Sequence, residues 1–208
     1  MAKILGTFKS GARAAFDPLG RALTRAGVSP DAITILGTVG VVAASVLLVP
    51  RGHLLAATFV ITFCCLLDVL DGSMARARGT TTRFGALLDS TMDRVADGAL
   101  FAALAYWFFS RDEPVLATVT LVTLVGAQVV SYVKARAEGL GFTCDVGIME
   151  RLERLVLIGV GGLCYGFGIT WGLPVATWVL SVLTVVTVVQ RVLHVRNEER
   201  SARTGVAS

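Results

Sequence analysis

Residues 54–97 read LLAATFVITFCCLLDVLDGSMARARGTTTRFGALLDSTMDRVAD. The uncharged run Leu54–Leu67 leads directly into five aspartates, Asp68, Asp71, Asp89, Asp93 and Asp97, interleaved with small residues and arginines. Such a run lacks the repeating polar face that a helix of a soluble bundle needs. It reads as a membrane helix whose polar end lies in a protein-lined cavity. If the helix continues past Leu67, Asp68 and Asp71 stand at i and i+3 on one face. On the next helix Asp89, Asp93 and Asp97 form a second stripe at i, i+4 spacing. A short turn joins the two helices, so the stripes are expected to face each other.

The rest of the chain agrees with a membrane setting. Of its 208 residues 54% are hydrophobic and only 16% charged, against roughly 25% charged in a soluble domain. Mean hydropathy is +0.72. Five further apolar runs, at 33–50, 95–109, 115–133, 155–169 and 173–189, approach or reach a bilayer-spanning length. Residues Ile4, Leu5, Phe8, Ala12, Ala15, Phe16, Leu19 and Leu23 recur at helical spacing among basic residues, as in a helix lying on a membrane surface. The expected fold is therefore all-α and integral to the membrane, six transmembrane helices preceded by an N-terminal amphipathic surface helix. Residues 1–28 form the juxtamembrane segment, 29–195 the six-helix membrane domain and 196–208 a polar cytoplasmic tail that frays after His194.

Basic residues orient the chain. With the N-terminus in the cytoplasm, all of the 19 Lys and Arg fall on or near that side except Arg51 and Arg111. The positive-inside rule then gives six spans with both termini cytoplasmic, in a cell membrane. The formal charge of +4 reads as anchoring and as affinity for anionic lipid or substrate. It does not read as nucleic-acid binding, because the charges flank apolar segments instead of forming a basic domain. Cys64, Cys65, Cys144 and Cys164 have no ligand spacing and suggest neither a disulfide scaffold nor zinc. Short connections at 50–53, 110–114 and 170–172 make their flanking helices antiparallel neighbours. Gly37, Gly40, Gly126, Gly162 and Gly166 allow close helix packing.

Carboxylates at membrane depth are costly, and like charges this close need compensation. Divalent cations would supply it, and oxygen-only ligands suit Mg²⁺ or Mn²⁺. A structural cluster paired with Arg76, Arg78, Arg83 and Arg94, or a cation or proton pathway, remains an alternative. A pathway would need polar positions on the other helices, which offer little beyond Gln128. Gly72 permits close approach of a ligand, Thr80, Thr81 and Thr82 add hydroxyls, and Arg76 brings a fork suited to phosphate. Ser29 caps a helix that opens at Pro30.

Asp68-x2-Asp71-Gly72-x2-Ala75-Arg76-x8-Gly85-x3-Asp89-x3-Asp93 also resembles, at every fixed position, the signature of the CDP-alcohol phosphotransferase family. That resemblance implies transfer of a phosphatidyl group from CDP-diacylglycerol to an alcohol, with release of CMP, by a homodimeric enzyme. It implies that Asp68, Asp71 and Asp89 hold two Mg²⁺ (Mn²⁺ being possible), and that Asp93 is the general base and also touches a metal. Gly72, Ala75 and Arg76 are then placed around the cytidine diphosphate. "SPDAIT" at 29–34 resembles the family's N-x-x-T nucleotide-binding pattern, with Asp31 where asparagine is usual and Thr34 retained.

Lys134 closes the fourth apolar helix, Arg151 and Arg154 lie one turn apart, and Arg191 ends the last apolar run. Several cations converging there would suit an acceptor carrying its own phosphate, although each could equally snorkel to lipid headgroups. "SYVKARAEGLG" at 131–141 and "ERLER" at 150–154 resemble the actinobacterial members of the family that use inositol phosphate. That implies Lys134, Arg154 and Arg191, with Arg151 alongside, around the acceptor phosphate, and phosphatidylinositol phosphate as product. Glycerol 3-phosphate is the competing acceptor.

Overall fold

The computed structural model describes residues 27–77 and 82–205, with Ala22 and Arg25; the side chains at 68–73, 75–77 and 203–205 are outside the description. Nearly all of the expected surface helix over 1–28 thus lies outside the described residues. Six helices make up the rest, with no strand among the described residues: α1 (Pro30–Leu48), α2 (Leu54–Ala77), α3 (Arg83–Phe109), α4 (Pro114–Gly139), α5 (Arg151–Gly166) and α6 (Gly172–Gly205).

The helix ends follow local chemistry. Ser29, in an extended conformation, caps α1 by accepting the Ala32 N–H at 3.2 Å, and Pro30 occupies the first helical position. Thr82 caps α3 in the same way, its hydroxyl accepting the Gly85 N–H at 2.9 Å. Pro114 opens α4, after a turn in which Asp112 takes a left-handed φ of 58°. The turn after α1 bends at Gly52, whose φ of 79° suits glycine. As expected, α2 runs on past its apolar part to Ala77, so the backbone positions of Asp68 and Asp71 share one helical face. The tail differs from expectation. Instead of fraying after His194, α6 continues helically to Gly205. Residues 195–203 contain few helix breakers, His194 and Glu198 approach to 3.7 Å at i, i+4, and the Thr143 hydroxyl donates to Glu198 at 3.3 Å.

Among the described residues, three helical stretches are long and apolar enough to cross a membrane, Pro30–Leu48, Pro114–Gly139 and Gly172–Ala202. Of the others, α3 carries its acids in its first half and α5 has only 16 residues, while α2 is apolar over Leu54–Leu67 before its acids begin. Large apolar side chains nevertheless face outward along the helices: Phe63 is 64% exposed, Val125 62% and Trp171 68%. Water would not tolerate that much exposed apolar surface on a monomer. The protein is a multi-pass, membrane-associated helical protein.

The described residues fall into two compact units, one within Met1–Val49 and Ala56–Leu100, the other within Pro50–Leu55 and Phe101–Ser208. In the first unit α1 approaches α2 at Gly40, where a Cβ would come within 2.5 Å of the Cys64 sulfur. Val41, Ala44, Ile61, Cys64, Met74 and Ala96 are buried there. In the second unit α6 packs against both α4 and α5. Gly126 lies under Thr184, and Gly161 under Ala176, where Cβ atoms would meet at 2.7 Å. Gly166 sits against Leu55, so these glycines serve helix contact.

Candidate functional site

In the first unit the start of α1 meets the start of α3. A Cβ at Gly85 would lie 3.0 Å from the Thr82 hydroxyl and 3.6 Å from the Asp31 carboxylate. Asp31 thus comes beside Thr82 and Gly85, more than fifty positions further along the chain, and the missing side chain of Gly85 leaves space between them. Thr34, one turn further along α1, is buried and donates its hydroxyl to the Pro30 carbonyl at 3.2 Å. From Gly85, α3 carries Asp89 exactly one i, i+4 step on and Asp93 one step beyond. Asp89 is exposed, whereas Asp93 is 18% exposed, with Arg94 Nη1 3.4 Å from its Oδ2. Asp97, a further step along, is buried.

Of the predicted donor-side residues, the structure therefore places Asp31, Thr82 and Gly85 together and sets Asp89 and Asp93 in line with them on α3. The side chains of Asp68, Asp71, Gly72, Ala75 and Arg76 lie outside the description, as do Thr80 and Thr81. Among the described residues, no three His, Cys, Asp or Glu converge on one point. The donors that α3 offers are all carboxylate oxygens, the ligand type that hard divalent cations prefer.

The second unit holds the cationic residues, and most are already engaged. Arg191 is 3% exposed: its Nε donates to the Val146 carbonyl at 2.8 Å and its Nη1 to the Val130 carbonyl at 2.7 Å. Its Nη2 lies 3.8 Å from Glu150. Arg154, also buried, directs Nη1 at the Met149 carbonyl at 3.4 Å. Lys134 binds Asp145 at 2.5 Å and approaches Glu138 at 3.8 Å. Arg151 is half-buried at the first position of α5.

These bonds fold the 140–150 connection onto α6. Thr187 accepts the Met149 N–H at 3.1 Å, and Gly147, at φ 129°, fits where a Cβ would strike Thr187 at 2.6 Å. The hydrogen bond from Lys134 holds the Asp145 carboxyl below the usual carboxylate range, and burial pushes the Cys144 thiol up. Sequence reasoning found the cations but missed Asp145, Thr187 and the carbonyls that Arg191 grips. A lone acid in "GFTCDVG" carries no periodic signal, and backbone acceptors carry none at all. Four buried hydroxyls of α4 and α6 turn back on their own helices. Thr120, Thr123, Thr177 and Thr187 donate to carbonyls of their own helices at 2.7–2.9 Å.

Comparison with known proteins bears on both units. The family described as CDP-alcohol phosphatidyltransferase matches residues 27–190. A phosphatidylinositol phosphate synthase of Mycobacteroides abscessus is 49% identical over 182 residues, covering 86% of this chain and 83% of that protein. Among solved structures, the phosphatidylinositol phosphate synthase of Mycobacterium tuberculosis with CDP-DAG bound aligns with a TM-score of 0.83 at 45% identity, covering 86% of this chain and 92% of that one. The same enzyme in complex with manganese and citrate aligns with a TM-score of 0.82 at 46% identity, covering 86% and 88%.

Proposed function

This chain belongs to the CDP-alcohol phosphatidyltransferase family, and from that premise we propose that it transfers the phosphatidyl group of CDP-diacylglycerol to an inositol phosphate, yielding phosphatidylinositol phosphate and CMP. The observation that carries this reading is the similarity, over most of both chains, to phosphatidylinositol phosphate synthases, one of them with CDP-DAG bound. Membrane placement follows from the six-span reading, with both termini cytoplasmic, 29–195 as the membrane domain, and a homodimer as the assembly. Three described helices of spanning length and the outward-facing apolar side chains support the placement in a membrane, and the resemblance to the family supports the homodimer.

In the proposed site Asp68, Asp71, Asp89 and Asp93 hold two divalent cations, Mg²⁺ or Mn²⁺. The relative described with manganese supports the choice of a hard cation. Bound there, such cations supply neutralisation of the diphosphate and of the charge that builds on departing CMP. The protein's own groups do the rest. Asp31, Thr34, Thr82, Gly72, Ala75 and Arg76 bind the nucleotide, with Gly85 leaving room beside Asp31. Lys134, Arg154 and Arg191, with Arg151 alongside, take the acceptor's phosphate, and Arg191 also holds the Val146 and Val130 carbonyls. Asp93 accepts the proton of the acceptor hydroxyl as its oxygen forms a bond to the diacylglycerol-bearing phosphorus. The bond from that phosphorus to the oxygen of CMP breaks, and CMP leaves with the electron pair. No covalent enzyme intermediate is required.

The test is CMP release from CDP-diacylglycerol by the purified full-length protein in lipid, with Mg²⁺ and one acceptor at a time. Release that depends on inositol phosphate supports the reading. Release that depends instead on glycerol 3-phosphate would reassign the acceptor, and none with either would overturn the activity.

A further inference from the structure

Asp145 is the more exposed member of its ion pair with Lys134, yet the residues on either side of it are held. Its side chain is 81% exposed. Its neighbours are not: Cys144 is buried at 1% exposure, and the Val146 carbonyl is gripped by the Arg191 guanidinium at 2.8 Å. Gly147 then turns at a φ only glycine readily adopts, against Thr187. The chain is therefore pinned on both sides of Asp145, and the carboxylate it holds out binds Lys134. Lys134 is itself 34% exposed, so a solute can reach the pair.

We propose that Asp145 is a built-in competitor for the acceptor's phosphate at Lys134. The inference rests on the proposed acceptor site. A carboxylate with one negative charge occupies the ammonium while the site is empty. A phosphate monoester, which brings close to two charges and three acceptor oxygens, can displace it. A neutral polyol cannot, because it offers no charge to exchange for the one it would uncouple. The pair thus holds the lysine satisfied in the free enzyme and charges a small entry cost that only an anionic acceptor repays.

The experiment compares wild-type protein, Asp145→Asn, Asp145→Glu and Lys134→Gln in lipid, with CMP release followed against inositol phosphate concentration. Asp145→Asn is expected to lower KM for inositol phosphate about two- to fivefold, the range expected for an exposed ion pair. It should leave KM for CDP-diacylglycerol in place. Asp145→Glu restores the wild-type value. Lys134→Gln raises KM for inositol phosphate about tenfold or more. If Lys134→Gln raises KM and Asp145→Asn leaves it unchanged or raises it, the competitor role is overturned while the acceptor site stands. If Lys134→Gln has no effect on KM, the acceptor site itself is wrong and the competitor role falls with it. A merely structural Asp145 would give an Asn variant with a lower melting temperature and a higher KM, which also overturns the proposal.

Discussion

The two charged regions of this protein are built on opposite plans. Along α3, Asp89 stands exposed, and Asp93 is 18% exposed with Arg94 3.4 Å from its carboxylate. Around α6, Arg191 and Arg154 are buried and their guanidinium groups are bonded to backbone carbonyls. Asp89 lies open to water, whereas the guanidinium groups of Arg191 and Arg154 are engaged by the fold. The difference has a physical cause. A buried arginine must satisfy its N–H donors or bear a large desolvation penalty, and backbone carbonyls freed at a loop supply the acceptors. A carboxylate open to water bears no such penalty and can wait for a cation.

This contrast predicts effects that separate activity from stability. The largest is on the acid side: chelating divalent cations from the purified protein should abolish CMP release while leaving the helical content intact, seen by far-UV circular dichroism. Asp93→Asn should cut CMP release about 10²- to 10⁴-fold, as loss of a general base does, with the melting temperature nearly unchanged. On the cation side the order reverses. Arg191→Ala should destabilise the protein by about 3–5 kcal/mol, because the Val146 and Val130 carbonyls lose their donors in a buried site. Arg191→Lys should not restore it, since an ammonium cannot reach both carbonyls as a fork. Thermal unfolding in detergent reads both. Gly161→Ala should cost about 1–3 kcal/mol, since its new methyl would meet Ala176 at 2.7 Å and the Leu173 backbone at 3.2 Å. Smallest of all, Ser29→Ala should cost about 1 kcal/mol through the lost cap of α1. A large loss of stability in Asp93→Asn, or none in Arg191→Ala, would break the contrast.

Much of this was legible in one dimension. The run from Leu54 into Asp68 and Asp71 already implied a helix that outlasts its apolar part, and α2 does so to Ala77. Ser29 and Pro30 announced the start of α1, and it begins there. The spacing of Asp89, Asp93 and Asp97 announced a stripe, which α3 carries as one unbroken helix. Helical periodicity and caps depend on residues within four positions of each other, so sequence displays them directly. The end of α6 was less visible. Its polar residues after His194 suggested fraying, but helix propensity and a contact from Thr143, far back in the chain, extend it.

By itself, then, the order of residues determined the helices, their membrane character and a motif of acids whose spacing specifies a family. Only the tertiary structure decided that Asp31 lies beside Gly85, that Arg191 grips Val130 and Val146, and that Asp145 holds Lys134. Each of the first two joins residues more than forty positions apart, and the third crosses a non-helical connection whose path no repeat encodes. Such contacts are chosen by which surfaces bury best together and by where freed backbone groups find partners, and neither is written in local spacing.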